Sequence, residues 1–116
     1  MVLVVDDDED VRECLRDVLV DSGYTVVTAA NGREALGILL DKKRPCLILL
    51  DLVMPVMDGW QFLRAVAAES ELADLSIVIE SAHAGSHPPT GHRLLNKPID
   101  IDVLLTTVEQ HCGSPN

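Results

Sequence analysis

Aromatic side chains are scarce: one Trp, one Tyr and one Phe make up 3% of 116 residues. A hydrophobic content of 47% must then come from Val, Leu, Ile and Ala, a mixture suited to parallel strands covered by helices on both faces. Positive charge is short as well. Nine Lys and Arg stand against nineteen Asp and Glu, a formal net charge of −10, which argues against nucleic-acid backbone or an anionic membrane as a direct partner. No apolar run approaches the ~20 residues of a membrane span. The opening MVLVV goes straight into a strand without the basic and apolar regions of a secretory signal, so a cytoplasmic location is expected. Cys14, Cys46 and Cys112 are odd in number, far apart and without a CxxC pair. Reduced, mostly buried thiols are expected, rather than a metal or disulfide framework. The length allows one domain with one core.

What is present centres on CLILLDLVMPVMDG at 46–59. The apolar run Cys46 to Leu50 is too short for an independent helix and follows Pro45, so it reads as a buried parallel strand. It ends in Asp51, which places a carboxylate where a buried strand reaches solvent. A loop with Pro55 follows, and Asp58-Gly59 opens a helix.

The remaining elements follow in chain order. Val2 to Val5 is a strand that empties into Asp6, Asp7, Asp8, Glu9 and Asp10. Val11, Cys14, Leu15, Val18 and Leu19 then form one apolar helical stripe, capped by Asp8 and stopped at Gly23. Tyr24 to Ala30 is a second strand. Asn31 caps a helix whose Ala35, Leu36, Leu39 and Leu40 face inward. After the third strand, Gly59 to Glu69 is a helix with Phe62, Leu63, Val66 and Ala67 inward. Ser76 to Glu80 is a fourth strand ending at Ser81, and Arg93 to Asn96 is a short fifth. Asp100 caps a last helix with Val103, Leu104, Thr107, Val108 and His111 on one side. Strands alternating with helices predict a doubly wound parallel sheet.

In a flavodoxin-like order 2-1-3-4-5, the first and third strands are neighbours at the topological switch point. Asp6, Asp7 and Asp51 then converge, with Ser81 and Lys97 along the rim. At ~4 Å and an effective dielectric of 20, each pair of carboxylates repels by about 4 kcal/mol. Such a site calls for a hard cation, and all-oxygen ligation suits Mg²⁺, with Mn²⁺ as a substitute. Taken singly, these residues have plainer explanations. Asp8, Asp58 and Asp100 read as helix caps, and Met54 and Met57 as packing. His83, His87 and His92 have no companion Cys or carboxylate at ligand spacing.

The set as a whole resembles the receiver domain of two-component response regulators. The matching pieces are VVDDD at 4–8, LLDLVMPVMDG at 49–59, Ser81-Ala82 after an apolar strand, and Lys97-Pro98. The resemblance implies that Asp51 accepts a phosphoryl group from a sensor histidine kinase or a phosphotransfer protein. Asp7 would ligate Mg²⁺ directly, Asp6 mainly through water, and Val53 through its backbone carbonyl. Ser81 would hydrogen-bond a phosphoryl oxygen, and Lys97, after a cis Lys97-Pro98 bond, would pair with the phosphate charge. Self-catalysed transfer and slow autodephosphorylation are implied, rather than ordinary enzyme turnover. Residues 1–112 would be the receiver and 113–116 a disordered tail. The chain carries no output domain, so a downstream protein or domain would read the signal.

The chain departs from the family between Ser81 and Lys97. Fifteen residues, AHAGSHPPTGHRLLN, must supply a strand and leave about ten for what is usually a full helix. Pro88-Pro89 costs a helix interior ~3 kcal/mol or more per proline. The helix between the fourth and fifth strands is therefore expected to be absent or reduced to a loop, and that loop would itself respond to phosphorylation. Leu94 stands where many members carry a switching aromatic. Glu80, a charge in the fourth strand, suggests a sheet face left uncovered. These departures keep open a phosphorylation-independent interaction module of receiver shape. A dehalogenase-type hydrolase would want a second Asp where Val53 stands.

Overall fold

The computed structural model describes residues 1–41, 44–52, 54, 56–72, 74–81, 93–96 and 99–114, with Ser81 and Asn96 described through their backbone. Five short strands, β1 (Val2–Val5), β2 (Val26–Ala29), β3 (Leu47–Asp51), β4 (Ile77–Ser81) and β5 (Arg93–Asn96), form one parallel sheet in the order β2-β1-β3-β4-β5. The expected flavodoxin-like topology is thus present. Helices α1 (Glu9–Asp21), α2 (Gly32–Leu40), α3 (Gly59–Ala68) and α4 (Ile101–Cys112) complete the described elements. The stretch expected to lose its helix, 82–92, lies outside the described residues, as do His83, His87 and His92.

Alternation along the strands divides the core into two layers. Leu3, Val5, Ile48, Leu50, Ile77 and Ile79 pack with Ala35, Leu39, Phe62 and Val66 of α2 and α3. Val2, Val4, Leu47, Leu49, Val78 and Leu95 pack with Leu15 and Leu19 of α1 and with Leu104 and Val108 of α4. Both faces of β1 and β3 are therefore covered, which is why these strands read as unbroken apolar runs rather than alternating ones. Side-chain oxygens start every described helix. Asp8 accepts from the amides of Asp10 and Val11, Asn31 from Glu34, Asp58 from Gln61, and Asp100 from Asp102 and Val103.

Several inward assignments need correction. Cys14, Leu40, Ala67, Val103 and His111 are exposed, because each lies at the margin of its helical stripe. Ile38 packs on the core beside Leu39, while Leu40 is 58% exposed. Glu80 does not mark an uncovered face. It is 0% exposed, on the layer shared with Val78 and Leu95 under α4.

The cysteines are also arranged otherwise than expected. Cys46 and Cys112 form a disulfide with a Cα–Cα separation of 5.2 Å, and Cys14 is the free, exposed thiol. A helix that follows a parallel strand runs back toward the strand starts. The last residue of α4 therefore meets the residue before β3, although 66 positions separate them in sequence. The spacing rule for linked cysteines is local and does not detect such a meeting.

This layering predicts a contrast between two leucines. Leu104→Ala should cost about 3 kcal/mol in urea unfolding, as deletion of a fully buried Leu does, whereas Leu40→Ala should fall within about 0.5 kcal/mol of wild type.

Candidate functional site

The site begins with the pairing of β1 and β3. Val4 is in register with Leu49 and Val5 with Leu50, so the next residues on the two strands, Asp6 and Asp51, emerge side by side on the α1/α4 face. Asp6 is 0% exposed and Asp51 6%, while Asp7 lies exposed beside them. Carboxylate oxygens of Asp6, Asp7 and Asp51 lie within 4.8 Å of one another. All three predicted acidic residues are therefore brought together.

Local structure fixes the two loops. The carboxylate of Asp6 accepts the amide of Asp8 at 2.9 Å, and its carbonyl accepts the Arg12 guanidinium at 2.7 Å. These bonds turn the chain directly from β1 into α1. On the other side, Asp58 and Gln61 cap α3 reciprocally: the Gln61 amide donates to Asp58 Oδ1 at 2.9 Å and the Asp58 amide to Gln61 Oε1 at 3.0 Å. The Gly59 amide donates to the Leu52 carbonyl at 2.8 Å. A Cβ on Gly59 would lie 2.6 Å from Leu52 Cα and 2.9 Å from the Asp51 carbonyl oxygen. The glycine of the DG pair is thus a close-approach residue that lets the loop fold back on the end of β3.

Val56, in the same loop, has φ +67° and is 69% exposed. A β-branched residue in the left-handed region is strained. Motif spacing gives no hint of this, since the strain belongs to the loop backbone. Met54 is buried in the α2/α3 layer, and Met57 and Trp60 pack against it, in agreement with a packing role.

The other predicted site residues divide in two. Ser81 ends β4, with its backbone paired beside Asn96 and its side chain outside the description. Val53, Lys97 and Pro98 lie outside the described residues. Sequence reasoning missed Glu80 as a neighbour of the site. Its position pairs with Asp51 across β3 and β4, so it is the next carboxylate-bearing position in the row that starts at Asp6. Register, rather than motif, is the signal that finds it.

Three convergent carboxylates at the carboxyl edge of a doubly wound sheet offer an all-oxygen donor set that could hold a hard metal ion. Fold and site together define a receiver-type signalling domain. The profile of the response regulator receiver domain matches residues 2–109, and the chain belongs to that family. It is 33% identical over 119 residues to sporulation initiation phosphotransferase F of Bacillus subtilis, covering 95% of this chain and 91% of that one. It is 43% identical over 81 residues to response regulator MprA of Mycolicibacterium vanbaalenii, covering 70% of this chain but only 34% of the relative. Among solved structures, the chemotaxis response regulator CheY4 of Vibrio cholerae superposes with a TM-score of 0.82 at 35% identity, covering 94% of this chain and 95% of that one. The family is one of signalling domains rather than classical enzymes. Among the described residues, no helix is long and apolar enough to cross a membrane.

Two substitutions test the loop. Gly59→Ala should cost about 1–3 kcal/mol in urea unfolding, because its methyl group would meet backbone rather than a movable side chain. Val56→Asn should gain about 1 kcal/mol by relieving the left-handed strain.

Proposed function

We propose that Asp51 accepts a phosphoryl group from a histidine kinase or phosphotransfer protein, and that the phosphorylated chain signals to a downstream protein or output domain. The convergence of Asp6, Asp7 and Asp51 within 4.8 Å carries this proposal. An oxygen of Asp51 attacks phosphorus as the bond to the donor histidine nitrogen breaks. Asp6, Asp7, Asp51 and the Val53 carbonyl would hold Mg²⁺, with Mn²⁺ as a substitute. When bound, the ion offsets the charge of both the carboxylates and the incoming phosphoryl oxygens. Ser81 would donate a hydrogen bond to a phosphoryl oxygen, and Lys97 would supply the remaining positive charge. Hydrolysis of the acyl phosphate at the same site would reset the signal slowly.

The proposal extends to the limits of the unit. Residues 1–112 would be the receiver and 113–116 its tail, acting in the cytoplasm without direct contact to nucleic acid or membrane. Two relatives bear on those limits alone: a phosphotransferase matched over 91% of its length, and a response regulator matched over 34% of its length. Leu94 favours one alternative, a receiver-shaped module that binds its partner without phosphorylation. It is partly buried against the α2/α3 layer, with no aromatic ring to swing between positions. In the phospho-switch reading, that role passes to 82–92.

The deciding experiment is incubation with acetyl phosphate and Mg²⁺, followed by intact mass. A gain of one phosphoryl group is expected, absent without Mg²⁺ and absent in Asp51→Asn. No gain in the wild type would favour the phosphorylation-independent module. A second check uses stability. Mg²⁺ at 100 times its Kd should raise unfolding free energy by about 2.7 kcal/mol, and Asp7→Asn should remove most of that gain.

A further inference from the structure

Away from the acidic edge, the start of β3 and the end of α4 meet at the Cys46–Cys112 disulfide. We propose that this pair is a thiol–disulfide exchange site, a reversible cross-link opened and closed by small thiols and disulfides of the glutathione class. Its state would set how firmly the last helix is held to the sheet.

Three observations carry the proposal. First, the fold itself places the two residues together. Their Cα atoms are 5.2 Å apart, inside the range that a disulfide spans without backbone movement, so reduction leaves two thiols still facing one another. Second, both residues are half-buried rather than sealed in the core, which gives an exchanging thiol access. Third, among the described residues, the end of α4 is held to the rest of the chain, besides the cross-link, by two side-chain hydrogen bonds, one of them from the Arg93 guanidinium to Gln110 Oε1 at 2.8 Å. Its buried residues are Leu104, Thr107 and Val108, while Glu109, Gln110 and His111 are exposed. Beyond them, the Tyr24 hydroxyl donates to the Gly113 carbonyl at 2.9 Å. Burial, together with the Glu109 carboxylate, pushes the Tyr24 phenol up. Among the described residues, reduction would leave the final turn on that hydrogen bond, on the one from Arg93 to Gln110 and on the half-buried Cys112 side chain.

A closed disulfide in the proposed cytoplasmic setting fits a transient, redox-sensing bond better than a permanent one. The chemistry balances in two exchanges. One cysteine thiolate attacks glutathione disulfide and releases the first glutathione thiolate. The other cysteine then attacks the protein sulfur of the mixed disulfide and releases the second. One disulfide is reduced as one forms, and both cysteine protons end on the two glutathione molecules. The pair is remote from Asp51: four strand residues, 47–50, lie between it and Cys46, so the five steps of extended chain span ~17 Å. Cross-linking is therefore independent of whether Asp51 is phosphorylated.

The test uses the full chain with Cys14→Ser, which removes the exposed free thiol. Protein equilibrated over a range of glutathione to glutathione-disulfide ratios is acid-quenched, alkylated and digested for mass spectrometry. Cys46 and Cys112 should lose alkylation together in one transition. Amide exchange in 109–114 should accelerate about tenfold on reduction as the terminal turn opens more often, while Mg²⁺ affinity stays the same in both states. The proposal is overturned if the two cysteines label independently, if they stay alkylatable in excess glutathione disulfide, if the cross-link joins separate chains, or if exchange in 109–114 is unchanged by reduction. Because the pair itself is intact in this chain, no substitution at Cys46 or Cys112 has to fold.

Discussion

The parallel register of β1 with β3 is the constraint from which the rest follows. Once Val4 lies beside Leu49, the next side chains on the same face are both aspartates, and Asp7 adds a third carboxylate within 4.8 Å. Charges of one sign at that spacing oppose folding unless something positive joins them. The apolar strands beneath hold them there. Val2, Val4, Leu47 and Leu49 are wholly buried under α1 and α4, and a slip of one residue would exchange them with the set packed under α2 and α3. Hydrophobic burial at the strand bases thus sets which carboxylates meet at the strand tips.

The two loops leaving those tips are built for the same end. Asp6 spends its carboxylate partly on the Asp8 amide, and Asp58 with Gln61 ends the other loop in a reciprocal cap. Gly59 lets backbone approach backbone where any side chain would collide. Val56 is the exception, a strained residue in a loop otherwise well satisfied. Glu80 extends the acidic row onto β4 at a fully buried position, so the surroundings of Asp51 are more acidic than the DD…D pattern alone implies.

Much of this was legible in the sequence because the signals are local. Apolar runs ending in polar residues located every strand, and Asp8, Asn31, Asp58 and Asp100 marked every described helix start. The strand order came from a topological rule, and the order then brought the three aspartates together. What was missed depends on distance in the fold rather than in the chain. The Cys46–Cys112 pair joins residues from opposite ends of a long segment. Glu80 looked like a sign of exposure because its cover, the α4 layer, comes later in sequence. Periodicity also overstates width: Leu40 and Val103 continue their stripes past the edge of what a five-stranded sheet of short strands can cover.

One contact has a wider consequence. The Gly32 amide donates to the Met57 carbonyl at 3.0 Å, and a side chain at Gly32 would strike that same carbonyl. The head of α2 is therefore stapled to the segment that descends from Asp51. If conversion of that carboxylate to a mixed anhydride displaces the segment, α2 is pulled with it or the staple breaks. Either outcome carries news of the event to the flank of the molecule formed by α2 and α3, a second exit for the message besides the one proposed for 82–92.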